Sequence, residues 1–216
     1  MSDQEQQFTE DTSPPRLNRI GRGFTRLTAL QRGLLRYFAI SLLIFIAGCA
    51  SGYLTSQADP AFGNSLVTLF QKMITDEIMS NEPPLLAIQL FFNNLEACVL
   101  LFLGGAAFGI VTLLVLSFNG IIIGGIMEVV GNKTGTLVMM AAIIPHGIFE
   151  LPAVLVSATL GLMLGRAVMM ELAGQGDAIG EARVLGSLFV RYVIPFIAIA
   201  ACIEAFITPA VLHLVA

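Results

Sequence analysis

The chain has 216 residues, 56% of them hydrophobic and 12% charged, with no Trp, three Cys and a net charge of −4. A mean hydropathy of +0.84 excludes a soluble globular domain, which could not solvate such a surface. No basic patch is interleaved with aromatics, so nucleic acid is not expected as a partner.

These bounds predict an all-α polytopic membrane helix bundle of about five spans, with broken or partial helices and one amphipathic interfacial helix. Residues 1–15 are acidic and Gln-rich and end in Ser-Pro-Pro, which predicts disorder. The first 33 residues are too polar for a signal peptide, so an uncleaved chain is expected. Residues 16–36 hold six arginines among Ile, Phe and Leu, a basic approach to the membrane. The tail and this juxtamembrane segment occupy 1–33. A single transmembrane domain is expected over 34–216.

The first span falls at about 34–56. Residues 57–83 open with Asp59-Pro60, close before Pro84, and place Leu66, Leu69, Phe70, Met73, Ile74 and Ile78 at helical spacing. That pattern predicts an amphipathic external helix at about 63–80, lying on the membrane or on the spans. Residues 84–130 contain two charges, Glu96 and Glu128, and suffice for two spans. The obvious turn is Asn119-Gly120, giving spans at about 85–116 and 119–131. The first arm is then about 48 Å and the second about 18 Å, against a hydrocarbon core of about 30 Å. The long arm has to bend, with Gly104-Gly105 as a place for it, or lie partly in the interface, and the short arm has to be a partial span or borrow from the Gly131–Gly135 loop. The next crossing, about 136–165, is expected to break at Pro145. Residues 166–185 read as a loop, and the last span as about 186–215.

The nine arginines fall in two clusters, 16–36 and 166–191, and the two lysines, Lys72 and Lys133, lie elsewhere. Five crossings with the amino terminus cytoplasmic put every arginine inside and the carboxyl terminus external, as the positive-inside rule favours. The location expected is the cell membrane.

Polar residues interrupt the apolar runs. Counted from the outer surface along straight helices, Asn93, Asn94, Glu96, His146 and Glu204 reach a depth of about 15–20 Å, with Glu150 a turn further. Lipid penalises such groups, so a shared buried cluster is expected, structural or lining an ion path. Glu128 adjoins the outer loop and is expected to snorkel. The octapeptide Pro145–Pro152 supplies two members. Pro145 suits the first turn of a new helix, His146 and Glu150 share a face one turn apart, Gly147 permits close approach, and Pro152 denies a donor to the Ile148 carbonyl. Pro145, Gly147 and Pro152 together predict a helix break.

Catalysis finds little support. A zinc peptidase would want a second histidine at ligand spacing, and the other histidine is His213. The cysteines Cys49, Cys98 and Cys202 are embedded in apolar runs without ligand spacing. No enzyme activity, metal or cofactor is expected. Gly105-x-x-x-Gly109, Gly120-x-x-x-Gly124 and Gly161-x-x-x-Gly165 predict helix-packing faces, within or between chains.

Asn93-Asn94, the Gly-rich helix after it, Asn119-Gly120 with Gly124, and Pro-His-Gly-Ile-Phe-Glu-Leu-Pro-Ala at 145–153 resemble the stage II sporulation protein M family. The likeness runs from about 85 to 166, with weaker support from Glu204 and Pro209. The resemblance implies a polytopic membrane protein. In endospore formers the namesake belongs to the engulfment machinery and is viewed as the membrane scaffold of two peptidoglycan-remodelling partners. Relatives occur in bacteria and archaea that make no spores. Two functions therefore stand open: a non-enzymatic protein that scaffolds or anchors a membrane assembly, or a transporter or channel for an ion or small solute using the His/Glu cluster. The expected partners are the lipid bilayer and a second copy or other membrane proteins.

Overall fold

A computed structural model describes residues 16–75 and 82–210, apart from the side chains of 16–29, 70, 71, 73–75, 141–143, 145 and 146. The predicted disorder of 1–15, the end of the amphipathic helix and the final residues with His213 lie outside the described residues. The chain divides into two units, Met1–Gly33 and Leu34–Ala216. All packing below is within the second.

The described residues are helical, with no strand among them. In chain order they form α1 (Arg16–Ala58), α2 (Pro60–Thr75), α3 (Pro83–Leu103), a 3-10 turn (Gly104–Ala106), α4 (Ile110–Thr134), α5 (Thr136–Leu172), α6 (Ala178–Leu188), a π-turn (Phe189–Val193) and α7 (Ile194–Phe206). Five stretches are long and apolar enough to cross a bilayer: Leu30–Ala58, Pro83–Ala106, Ile110–Thr134, Gly147–Leu172 and Ala178–Ala210. Helices are the expected answer, since a spanning segment must satisfy its own backbone groups.

Helix α5 is the hub. It packs against α3, α4, α6 and α7 and against the 3-10 turn, while α3 also meets α7, and α2 lies on α4. In its crossing stretch 61% of positions are buried, against 17% for that of α3, so α3 contributes the smaller share to the core. Phe45, Leu101, Leu116, Leu155 and Ala158 form a core cluster from α1, α3, α4 and α5.

The structure moves the turn of the central hairpin. Asn119 and Gly120 are not a turn; both lie inside α4, where the Asn119 side-chain amide donates to the Val115 carbonyl at 2.8 Å. The chain reverses at Gly104–Gly109 instead. Phe108 and Gly109 there both take left-handed backbone, at φ 57° and 79°, a conformation easiest for glycine. The hydroxyl of Thr112 donates to the Leu101 carbonyl at 2.8 Å, so an oxygen exposed by the end of α3 is satisfied across the turn. Arms of 21 and 25 residues result. At about 31 and 38 Å, each can cross, which removes the mismatch of the Asn119-Gly120 assignment.

The helix break predicted from Pro145, Gly147 and Pro152 is also absent: α5 continues from Thr136 to Leu172. Each proline costs a backbone donor, but membrane helices tolerate this where neighbouring elements surround them. The predicted loop at 166–185 shrinks to 173–177, because α5 runs on to Leu172 and α6 begins at Ala178 with Asp177 accepting from the Gly180 amide at 2.8 Å. The irregularity lies instead in the last span, where the π-turn sits just ahead of Pro195. The amphipathic helix starts at Pro60, with the Asp59 carboxylate accepting from the Ala61 amide at 2.9 Å.

Candidate functional site

Helix geometry decides which of the predicted polar residues meet. Cys98 is fully buried on α3 and lies near Ser157 and Glu150 of α5. Asn94 is one turn before Cys98 and therefore on the same, inward face. Glu96 is two residues from Cys98, which points it to the opposite side, and it is exposed. Glu96 thus leaves the predicted buried cluster. Asn93 stands one turn from Glu96 and is half-buried, so it shares that outer flank.

The inner set is Asn94 on α3, Glu150 on α5 and Glu204 on α7, all half-buried, on three helices that pack against one another. Glu204 accepts from the Thr208 hydroxyl at 3.0 Å. The side chains of Pro145 and His146 lie outside the described residues; the backbone puts His146 one helical turn before Glu150, on the same stripe. Gly147 is buried and Pro152 half-buried in α5. Among the described residues no three His, Cys, Asp or Glu side chains gather as a metal site would require.

The six predicted packing glycines sit at helix contacts inside one chain. A methyl at Gly124 would run into the Cys49 carbonyl, and one at Gly120 into the Phe45 carbonyl. Facing them, Gly48 and Gly52 of α1 meet Ser117, Gly120 and Ile121 of α4. This is a second small-x-x-x-small stripe, legible in the sequence at 48 and 52 but absent from the prediction. On the other side of α4, Gly105 of the turn lies against the Gly161 backbone, Gly161 against Leu101, and Gly165 against Gly109. Gly109 itself faces Leu162. Removing side chains lets backbones touch, which is how membrane helices gain packing without a hydrophobic driving force.

Glu128 does not snorkel. It is buried and accepts from the Asn132 amide one turn on. Nearby, Leu66 of α2 fills the space left by Gly125, and Gly63 lies against Val129 and Ser56. The Lys133 ammonium donates to Asn64 at 3.0 Å. Helix α2 is therefore fastened to the end of α4 by an apolar plug and a polar clasp.

Two shallow surface depressions occur elsewhere. One lies on α2, lined by Asn64, Ser65, Thr68, Leu69 and Lys72; the other lies on α7 around Cys202 and Phe206. Neither is lined by Glu150 or Glu204.

The sequence was compared with known proteins. The family described as stage II sporulation protein M matches residues 41–209. An uncharacterized protein of Methanocaldococcus jannaschii is 30% identical over 176 residues, covering 79% of this chain and 92% of its own length. No solved structure matches. With its matched segment running from α1 through α7, the chain belongs to the stage II sporulation protein M family.

Proposed function

We propose that this protein is a non-enzymatic scaffold or anchor of a membrane assembly, with its amino terminus cytoplasmic and its carboxyl terminus external. The observation that carries the reading is the pair of glycine seams that join α1 to α4 and α5 to the Gly104–Gly109 turn backbone against backbone. Such contacts suit a rigid body, because interiors packed at this closeness resist continuous deformation. Alternating access would instead ask for elements that rock around a central site. Counted along the sequence through five crossings, the arginines of 16–36 and 166–191 fall on one side and Lys72 and Lys133 on the other, which supports the orientation.

The test is isolation of the tagged full-length chain from native membranes in mild detergent, after crosslinking. A second membrane protein recovered in fixed stoichiometry is the expected result. Recovery of this chain alone overturns the reading.

A further inference from the structure

The outward side of α3 carries a charge that the described bundle does not answer. Beyond its two opening prolines, the exposed residues of α3 are Leu85, Ile88, Phe92, Glu96, Leu100 and Leu103. At about 100° per residue they fall within about 120° of the helix circumference, with Glu96 near the middle. The rest of that face is large and apolar, with Phe92 61% and Leu100 48% exposed one turn to either side of the carboxyl. Along the crossing stretch Pro83–Ala106, Glu96 lies 13 residues from one end and 10 from the other, which is about 20 and 15 Å. It makes no hydrogen bond or ion pair among the described residues. The apolar positions suit lipid, but a carboxyl at that depth does not.

We propose that this face of α3 docks a transmembrane helix of a different protein, one that carries a Lys or Arg near the middle of its span. The inference rests on the scaffold reading and names the chemistry of the partner. Charge selects the occupant. A carboxylate in hydrocarbon is stable only when paired, and the attraction of an opposite charge grows as the dielectric falls. A Lys or Arg at mid-span is penalised by lipid in the same way, so each group removes the other's cost on docking. Protonation would cancel the charge but leave a hydroxyl and a carbonyl to be satisfied. A second copy offers no cation at this level. The Lys and Arg of the described crossings lie toward their ends. Arg191, the one farthest from an end, lies near the Leu103 end of α3, because Phe189 stacks on Phe102 at 5.2 Å. Acyl chains offer no donor at this depth. Phe92 and Leu100, one turn on either side of Glu96, cover the ion pair from lipid once the partner helix lies along them.

The test places a photo-crosslinking residue at Phe92 or Leu100 of the full-length protein in its native membranes, with Leu43 of α1, 68% exposed, as the control position. Mass spectrometry identifies the crosslinked segment. The expected product, absent from Leu43, joins α3 to a transmembrane segment of a different protein with a Lys or Arg near mid-span. Glu96→Gln keeps the size and loses the charge; it should lower the yield about tenfold while thermal unfolding in detergent stays at the wild-type midpoint. Glu96→Lys should abolish the product, and changing the partner's cation to Glu should restore it, a rescue that a role confined to folding would not show. Crosslinks from α3 only to lipid or to a second copy, a partner segment without a mid-span cation, or an undiminished yield in Glu96→Gln each overturns the proposal. A second protein that co-isolates with the chain but is not crosslinked from α3 overturns this inference alone and leaves the scaffold reading standing. Recovery of no second protein overturns both.

Discussion

The two sides of α3 and α4 obey different rules. Where α4 meets α1, and where the turn before it meets α5, backbone lies on backbone: Gly124 on Cys49, Gly105 on Gly161. Where α3 turns outward, Glu96 stands exposed and makes no hydrogen bond among the described residues. The first region is closed by the absence of side chains, and the second is left open by their presence. The difference teaches where to place rigidity. It also separates residues of similar chemistry, since Glu150 is half-buried on the hub helix and Glu96 stands exposed.

The largest way to break the comparison is to load the closed side. Gly124→Leu drives a branched side chain into the Cys49 carbonyl, and we expect a loss of about 3 kcal/mol or failure to fold. Thermal unfolding in detergent reads this. An unfolding midpoint equal to wild type would show that α1 and α4 are not in backbone contact. The second effect falls on the inner polar set. Glu150 makes interactions within the chain, so Glu150→Leu should cost about 1–3 kcal/mol by stranding what it binds. The same change at Glu96, which is exposed and has no such tie among the described residues, should leave the unfolding of the single chain unaltered. Equal losses at both positions would erase the distinction between inner set and outer flank.

Two smaller changes sharpen the picture. Thr112→Val keeps the shape but removes the hydroxyl that satisfies the Leu101 carbonyl, and about 1 kcal/mol should go with it. An unaffected midpoint would mean that the Gly104–Gly109 reversal is held by packing alone. At Gly186, in α6, an added methyl meets nothing within 4 Å. Gly186→Ala should therefore stabilise by about 0.5 kcal/mol through helix propensity. A loss there would place an unseen neighbour against α6.

What was legible in the sequence follows from how each signal arises. Span number and the amphipathic helix came through because hydropathy and periodicity are summed over many residues. The hairpin turn did not, since Asn-Gly is a turn signal in water, whereas in a membrane helix its glycine serves as a contact surface for α1. The span-length mismatch did point to Gly104-Gly105, because bilayer thickness is a constraint that turn propensity lacks. The octapeptide misled for a related reason: Pro145 and Pro152 suggest breaks by local rules, but α5 is surrounded by helices and runs through. Depth counting assigned Asn93, Asn94, Glu96, Glu150 and Glu204 to similar expected depths but carried no information on direction. Direction could have been read from Cys98, whose two-residue offset from Glu96 sends the two to opposite sides of α3.

The central claim is that glycine seams close this bundle around an inner polar set that locks it and conducts nothing. Ion and proton flux into proteoliposomes holding the wild-type protein, with Glu150→Gln beside it, tests that claim most directly. The account predicts flux at the level of empty liposomes for both proteins. A wild-type flux above that background, abolished by Glu150→Gln, would contradict it.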